Sequence, residues 1–345
     1  MAAPVRIAVA GAGLIGKRHI QHILAEPAAI LAAVVDPSPA ACDLARACGV
    51  GWFPDFAALL AAEKPDGIVF ATPNKLHVEN GLAAVAAGIP ALIEKPLSDD
   101  LAEGARLVAA AEVAGVPLLV GHHRRHNPMI QRAKEIITSG RLGRLVSAHG
   151  FFWLMKPDDY FDVEWRRQSG AGPILTNLIH DVDLLRYLIG EIASVQALTS
   201  NIVRNFPIEE TAAVLLAFEN GAIGTFSVSD TIVAPWSWEH TTGENPVYPQ
   251  SDQCCYTIGG THGSLTIPKL EIWGNKDTRS WLQPFSVERT YAVHQDPLRL
   301  QIQHFCRVIR GAEKPLVSGR EGLRTLQVID AIKKAARDGS RVSVA

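Results

Sequence analysis

An apolar run from Val5 to Ala10 leads directly into Gly11-Ala12-Gly13-Leu14-Ile15-Gly16, and Asp36 stands twenty residues beyond the last of these glycines. That order constrains the fold more than any other feature of the chain. Strand, glycine turn, helix, a second apolar run from Leu31 to Val35 and a terminal acid describe a βαβ unit built to hold a dinucleotide. Gly11 permits the tight turn, Gly13 lets backbone approach a pyrophosphate, and Gly16 lets the helix pack closely on the strand. The pyrophosphate is expected at the helix N-terminus, beside Leu14 and Ile15, where backbone N–H groups have no partner inside the helix. Asp36 is placed to accept hydrogen bonds from both hydroxyls of an adenosine ribose, and its charge repels a 2′-phosphate. No arginine follows it in Pro37-Ser38-Pro39, so NAD is expected as cofactor, with NADP left open by Lys17 and Arg18.

A chain of 345 residues has room for more than this unit, which accounts for only about its first 120 to 125 residues. A second domain must hold the substrate. The 33 basic and 35 acidic residues leave a formal charge of -2, with no basic stripe interleaved with aromatics, so nucleic acid is not an expected partner. No apolar run approaches a membrane span and no secretory signal is visible, which makes the expected location cytoplasmic. Cys42 and Cys48, Cys254 and Cys255, and the solitary Cys306 have neither zinc-knuckle spacing nor an even count, as expected of reduced thiols.

Between Val5 and Val120 the pattern alternates apolar strand and alanine-rich helix, with further strands expected at Gly67 to Ala71, Ala91 to Glu94 and Val116 to Val120. This predicts a doubly wound parallel sheet. After Gly121 the texture changes. Leu145 to Leu154, Val195 to Val203, Thr211 to Phe218, Ala222 to Val228, Cys255 to Ile258, Ser264 to Ile267 and Glu271 to Trp273 read as strands. They predict a large, predominantly antiparallel open sheet, with helices Pro128 to Ser139 and Leu175 to Leu188 on one face. The other face needs cover, so assembly through the sheet is expected. Val233 to Gln253 reads as a long functional loop, in which Trp236, Trp238 and His240 either stack on a ligand ring or pack a subunit interface. The fold class is therefore α/β, divided as residues 1–122 for the dinucleotide, 123–318 for substrate and oligomerisation, and a C-terminal helix in 319–345 packing back toward the first domain.

Ligands of open α/β sheets lie beyond the carboxyl ends of the strands. The segments found there are Thr72-Pro73-Asn74-Lys75-Leu76-His77, Glu94-Lys95-Pro96 and Gly121 to Pro128. Lys95, held by a following proline, is suited to hydrogen-bond a substrate hydroxyl and to stabilise the oxyanion that develops when hydride leaves. In the second domain, Thr176, Asn177, His180 and Asp183 recur at helical spacing, and His180 titrates in the range of a general base. His122, His123 and His126 invite a metal reading, but no cysteine or carboxylate joins them in sequence, and no metal is expected.

Taken together, Gly11-x-Gly13-x-x-Gly16, Ala71-Thr72-Pro73, Glu94-Lys95-Pro96, Trp165-Arg166, the glycine-led helix reaching His180-x-x-Asp183-Leu184 and the final Gly319-Arg320-Glu321-Gly322-Leu323 resemble the glucose-fructose oxidoreductase, inositol dehydrogenase and MocA family. The resemblance runs almost end to end. It implies a Rossmann domain joined to an α/β domain on a large open sheet, assembly as a dimer or tetramer, and hydride transfer between nicotinamide and a secondary hydroxyl, or ketone, of a sugar, cyclitol or related cyclic compound. It implies Lys95 and His180 as catalytic residues. The expected substrate contacts are Thr176, Asn177, His123, Arg125, Trp165 and Asp183. The expected cofactor contacts are Gly11, Gly13, Leu14, Ile15, Gly16, Asp36, Thr72, Pro73, Asn74, His77, Glu94, Lys95 and Arg166. One departure stands out: the family often carries an aspartate where this chain has Thr176, which leaves Asp183 as the expected partner of His180. The rival readings are a dehydrogenase or reductase of a non-sugar carbonyl or hemiacetal from aromatic degradation, an NAD-retaining glycoside hydrolase, and a non-catalytic redox sensor.

Overall fold

A computed structural model of the chain describes residues 3–168 and 170–344. The described residues divide into two compact units, one drawn from 1–127 with 295–326 and one from 128–294 with 327–345.

Unit 1 runs β1 (Val5–Ala10), α1 (Leu14–Leu24), β2 (Ala29–Val35), α2 (Pro39–Cys48), β3 (Gly51–Phe53), α3 (Phe56–Ala62), β4 (Gly67–Phe70), α4 (His77–Ala86), β5 (Ala91–Ile93), α5 (Leu101–Ala114) and β6 (Leu118–Val120). All strands are parallel, in the order β3-β2-β1-β4-β5-β6. Both faces are buried, which explains why the strands are apolar throughout rather than alternating. Ile7, Val9, Val69 and Leu92 pack with Ile20 and Ile23 of α1 on one side, while Ala8, Ile68, Phe70 and Ile93 pack with Leu59, Val85 and Leu107 on the other. Strand order reverses direction between β1 and β4, and all six carboxyl ends lie along one edge.

Unit 2 contains α6 (Pro128–Thr138), β7 (Leu145–Trp153), α7 (Ile179–Ile189), β8 (Ile192–Ser200), β9 (Thr211–Phe218), β10 (Ile223–Ser229), α8 (Trp238–Thr242), β11 (Tyr256–Gly260), β12 (Gly263–Ile267), β13 (Glu271–Asn275) and β14 (Phe285–Arg289). The chain then forms α9 (Pro297–Ile309), α10 (Gly319–Asp338) and β15 (Val342–Ser343). The nine-stranded sheet has the order β14-β13-β12-β11-β7-β10-β9-β8-β15, and only β7 and β10 are parallel neighbours. Its register separates two faces. Val214, Leu216, Phe226, Val228, Phe152, Tyr256 and Leu265 point into a core shared with α6, α7 and the Val328–Ala335 turns of α10. Leu198, Leu215, Ile223, Phe151, Trp153, Trp273 and Val287 lie on the opposite face.

Two expectations are corrected. The segment Gln295–Leu326 groups with unit 1 rather than with a 123–318 domain, because Ile302, Phe305, Cys306 and Val308 of α9 enter the core around β1. Within Val233 to Gln253, α8 is a real helix, and its Trp238 is fully buried beside Tyr256, so that indole is closed to any ligand. Among the described residues no helix is long and apolar enough to cross a membrane.

Candidate functional site

The glycine turn follows β1 at the point where the sheet order reverses. Gly11 adopts φ +91°, and a Cβ there would collide with the Ala71 carbonyl; a Cβ on Gly16 would strike the carbonyl of Gly11. At Gly13 a Cβ would meet nothing within 4 Å, so the backbone borders open space at the start of α1, where Leu14 is also exposed. Asp36 follows β2 and accepts the Ala12 N–H through Oδ2 and the Ser38 N–H through Oδ1, each at 2.8 Å. Burial works against its charge, but the Ser38 and Ala12 hydrogen bonds prevail and hold its carboxyl below the usual range. Thr72 follows β4, and its buried Oγ1 has no hydrogen-bond partner among the described residues. A cradle lined by free helical N–H groups, an ionised acid at the ribose position and an orphaned hydroxyl fit a dinucleotide. Pro73 and Asn74 open the turn that enters α4.

At the end of β5, Glu94 and Lys95 separate in role. Glu94 is buried and accepts from His19 Nε2 at 2.7 Å through Oε1 and from the Lys95 N–H at 3.2 Å through Oε2. Burial pushes its carboxyl up, but the His19 hydrogen bond and attraction to His19, His123 and Lys95 win and hold it at about 2. The Glu94 side chain is therefore turned inward onto His19. His77 is also fully buried, with Nδ1 2.8 Å from the Pro96 carbonyl and Nε2 2.9 Å from that of Thr72. Burial, the leading influence, lowers its pKa despite those carbonyls. It ties two strand-end segments together. Arg125, expected at substrate, is buried on Glu321 at 3.0 Å. His126 is buried against His304, with ring centroids 5.1 Å apart, whereas Lys95 and His123 stay partly exposed. His19 was not foreseen, although a histidine three residues past Gly16 was visible on the first turns of α1.

The expected helix containing His180 opens with a π turn, Ile174–Leu178, before α7 begins. Leu175, Thr176 and Asn177 are consecutive and all partly exposed, which a uniform helical stripe does not allow. Thr176 Oγ1 lies 3.0 Å from both the Gly172 carbonyl and Asn177 Oδ1. It also accepts from Lys156 Nζ at 3.4 Å. His180 follows Ile179 in the buried run of α7, and Asp183 in the same run is fully buried. Asp181, equally buried, accepts from the Tyr256 hydroxyl. Trp165 is exposed, and the Arg166 guanidinium lies 4.1 Å from the Tyr160 ring centroid while donating to the Tyr160 carbonyl at 2.8 Å. Lys156 was missed. Lys156-Pro157 follows a strand just as Lys95-Pro96 does, but its strand had to be known as one of a parallel pair for the signal to count.

Comparison with known proteins bears on this arrangement. Residues 5–122 match a model described as an oxidoreductase family with an NAD-binding Rossmann fold, and residues 130–266 match the GFO/IDH/MocA C-terminal domain. The chain is 27% identical to D-apiose dehydrogenase of Paraburkholderia graminis over 98% of its own length and 89% of that protein's. It is 27% identical to scyllo-inositol 2-dehydrogenase (NAD(+)) of Bacillus subtilis, over 99% and 96%. The WlbA dehydrogenase of Bordetella pertussis, solved with NADH and UDP-GlcNAcA, superposes with a TM-score of 0.79 at 28% identity, covering 99% of each chain. With a nucleotide cradle in unit 1, a mixed open sheet in unit 2 and both family domains matched in order, the chain belongs to the GFO/IDH/MocA family of NAD-binding oxidoreductases.

Proposed function

We propose that this protein is an NAD-dependent dehydrogenase that moves hydride between nicotinamide and a secondary hydroxyl, or ketone, of a sugar, cyclitol or related cyclic compound. The observation that carries the reading is the shared sheet edge in unit 1, which aligns the glycine turn, the ionised Asp36 and the partly exposed Lys95 at strand ends. NAD, when bound, supplies the hydride acceptor. Lys95 donates a hydrogen bond to the substrate oxygen and stabilises the negative charge that grows on it. His180 takes the hydroxyl proton. Asp36 selects the unphosphorylated ribose, and Thr72 offers its hydroxyl to the cofactor. The related dehydrogenases of apiose and scyllo-inositol support a polyhydroxylated substrate. The reading includes a homo-oligomer joined through the open face of the unit 2 sheet, and a cytoplasmic setting in which the five cysteines remain thiols.

The test is reduction of NAD and of NADP by a panel of aldoses, cyclitols, glycosides and sugar acids, with Lys95→Ala in parallel. NADH formation should depend on Lys95 by a factor of about 10² to 10⁴, while NADH binding by fluorescence stays within a few-fold of the parent. Turnover that survives in Lys95→Ala would remove the proposal.

A further inference from the structure

β4 and β5 are parallel neighbours that end side by side, at Phe70 and Ile93. Beyond those residues the chain leaves the sheet, with Thr72 after one strand and Lys95 after the other. One side chain joins the two segments. His77 opens α4 and is fully buried, with Nδ1 2.8 Å from the Pro96 carbonyl and Nε2 2.9 Å from the Thr72 carbonyl. Pro96 has no N–H, so its carbonyl is the main-chain polar group by which the residue after Lys95 can be anchored. Thr72 is packed on the glycine turn: a Cβ on Gly11 would lie 2.3 Å from the Ala71 carbonyl oxygen and 2.8 Å from the Thr72 nitrogen. A shift of either carbonyl is therefore passed on, through Pro96 to Lys95 and through Thr72 to the cradle.

Packing alone does not explain an imidazole at this position. Burying a polar ring carries a cost that an apolar side chain of similar size avoids. Nor is the ring committed to one acceptor. A carbonyl only accepts, so two contacts call for two N–H groups, whereas burial favours the neutral ring, which has one. A single ring is thus shared between the cofactor strand end and the catalytic strand end. The other side of Lys95 is fixed separately. Its N–H meets Glu94 Oε2 at 3.2 Å, and His19 holds the same carboxylate at 2.7 Å. A Cβ on Gly121 would lie 2.7 Å from Glu94 Oε2, so the carboxylate fills the space against β6. With Glu94 wedged in this way, the Pro96 side is where the Lys95 segment depends on His77.

We propose that His77 is a positioning residue that couples the cofactor seat to Lys95: Nε2 holds Thr72 in place for NAD, and Nδ1 holds Pro96, and with it Lys95, in place for the substrate oxygen. The inference rests on the dehydrogenase reading above and gives His77 a role exercised through Thr72 and Lys95.

Two substitutions separate the arms. An asparagine amide takes the place of Nδ1 and a glutamine amide that of Nε2, so His77→Asn keeps the Pro96 bond and His77→Gln keeps the Thr72 bond. NADH affinity is read by fluorescence titration. The setting of Lys95 is read from the carbon-13 resonance of its reductively dimethylated amine, identified by its loss in Lys95→Arg. His77→Asn should loosen NADH about ten-fold, the worth of one well-placed hydrogen bond, and leave the Lys95 resonance where it is in the parent. His77→Gln should hold NADH within about two-fold of the parent, move the Lys95 resonance, and lower kcat on any substrate of the sugar panel by about 10- to 100-fold. A variant that moves both readouts, a variant that leaves its own readout unmoved, the reverse pattern, or loss of the fold in both variants by circular dichroism would show a merely structural histidine and overturn the inference. NADH formation by the parent judges the dehydrogenase reading separately. A parent that turns over nothing would remove that reading, while NADH affinity and the Lys95 resonance still decide the role of His77.

Discussion

Glu94 shows how a residue at a legible position can take a partner that no local pattern names. Its place after β5 was readable from the Glu94-Lys95-Pro96 motif, but its orientation depended on His19, a residue on another element, which draws the carboxylate inward at 2.7 Å. The pair makes a prediction. Because the folded pKa of Glu94 is depressed from 4.5 to about 2, its contribution to stability is present above pH 4.5 and is lost as pH falls toward 2. His19→Leu leaves a buried carboxylate short of its best donor and should cost about 3–5 kcal/mol at pH 7. That cost should shrink at pH 4, where protonation relieves the unpaired charge; urea unfolding at the two pH values measures it. A deficit equal at both would show that His19 matters only for packing. The same reasoning explains His77 and Arg125, whose polar groups are consumed by Thr72, Pro96 and Glu321 and whose burial no local pattern announces.

Elements were legible where one periodicity governed them. Leu101 to Ala114 and Thr211 to Phe218 coincide with α5 and β9, because each is bounded by strong local signals: the Asp100 cap and Gly115 for the helix, and the Asn220-Gly221 turn for the strand. The π turn before α7 was not legible, since its extra residue changes the spacing on which the stripe from Thr176 to Asp183 was built. α9 was missed although its signals were present: Asp296 caps it, Pro297 opens it, and Leu298, Ile302 and Phe305 recur at helical spacing. α8 carries the structural weight of its loop. Trp238 is 0% exposed in the unit 2 core, so Trp238→Ala should destabilise the protein by about 3–5 kcal/mol, seen as a lower urea midpoint. A loss below 1 kcal/mol would mean that the loop is not anchored there.

At the scale of the whole molecule, the unit 2 sheet has one covered face and one bearing Leu198 at 73%, Ile223 at 62% and Leu215 at 52% exposure, with Phe151, Trp153 and Trp236 in edge and tilted ring contacts beside them. An apolar face of this extent is the kind of surface that assembly buries. Leu215→Glu places a charge at its centre, opposite Gln196 and Thr225. In sedimentation velocity it should convert the proposed homo-oligomer to monomer with the fold intact by circular dichroism. A parent that sediments as a monomer, or a variant that assembles normally, would place the interface elsewhere or nowhere.

The glycine turn, Asp36, the parallel sheet and the strand-end Lys95 were all contained in the sequence, because each rests on neighbours a few residues away: a turn needs its glycines and a buried parallel strand its apolar run. What tertiary structure alone decided was which polar groups are already satisfied. His19 on Glu94, Tyr256 on Asp181 and Arg204 on Asp230 are pairs separated by tens of residues. Only the packed chain reveals that Arg204 and Lys156, which no local pattern singled out, meet on the one carboxylate of Asp230.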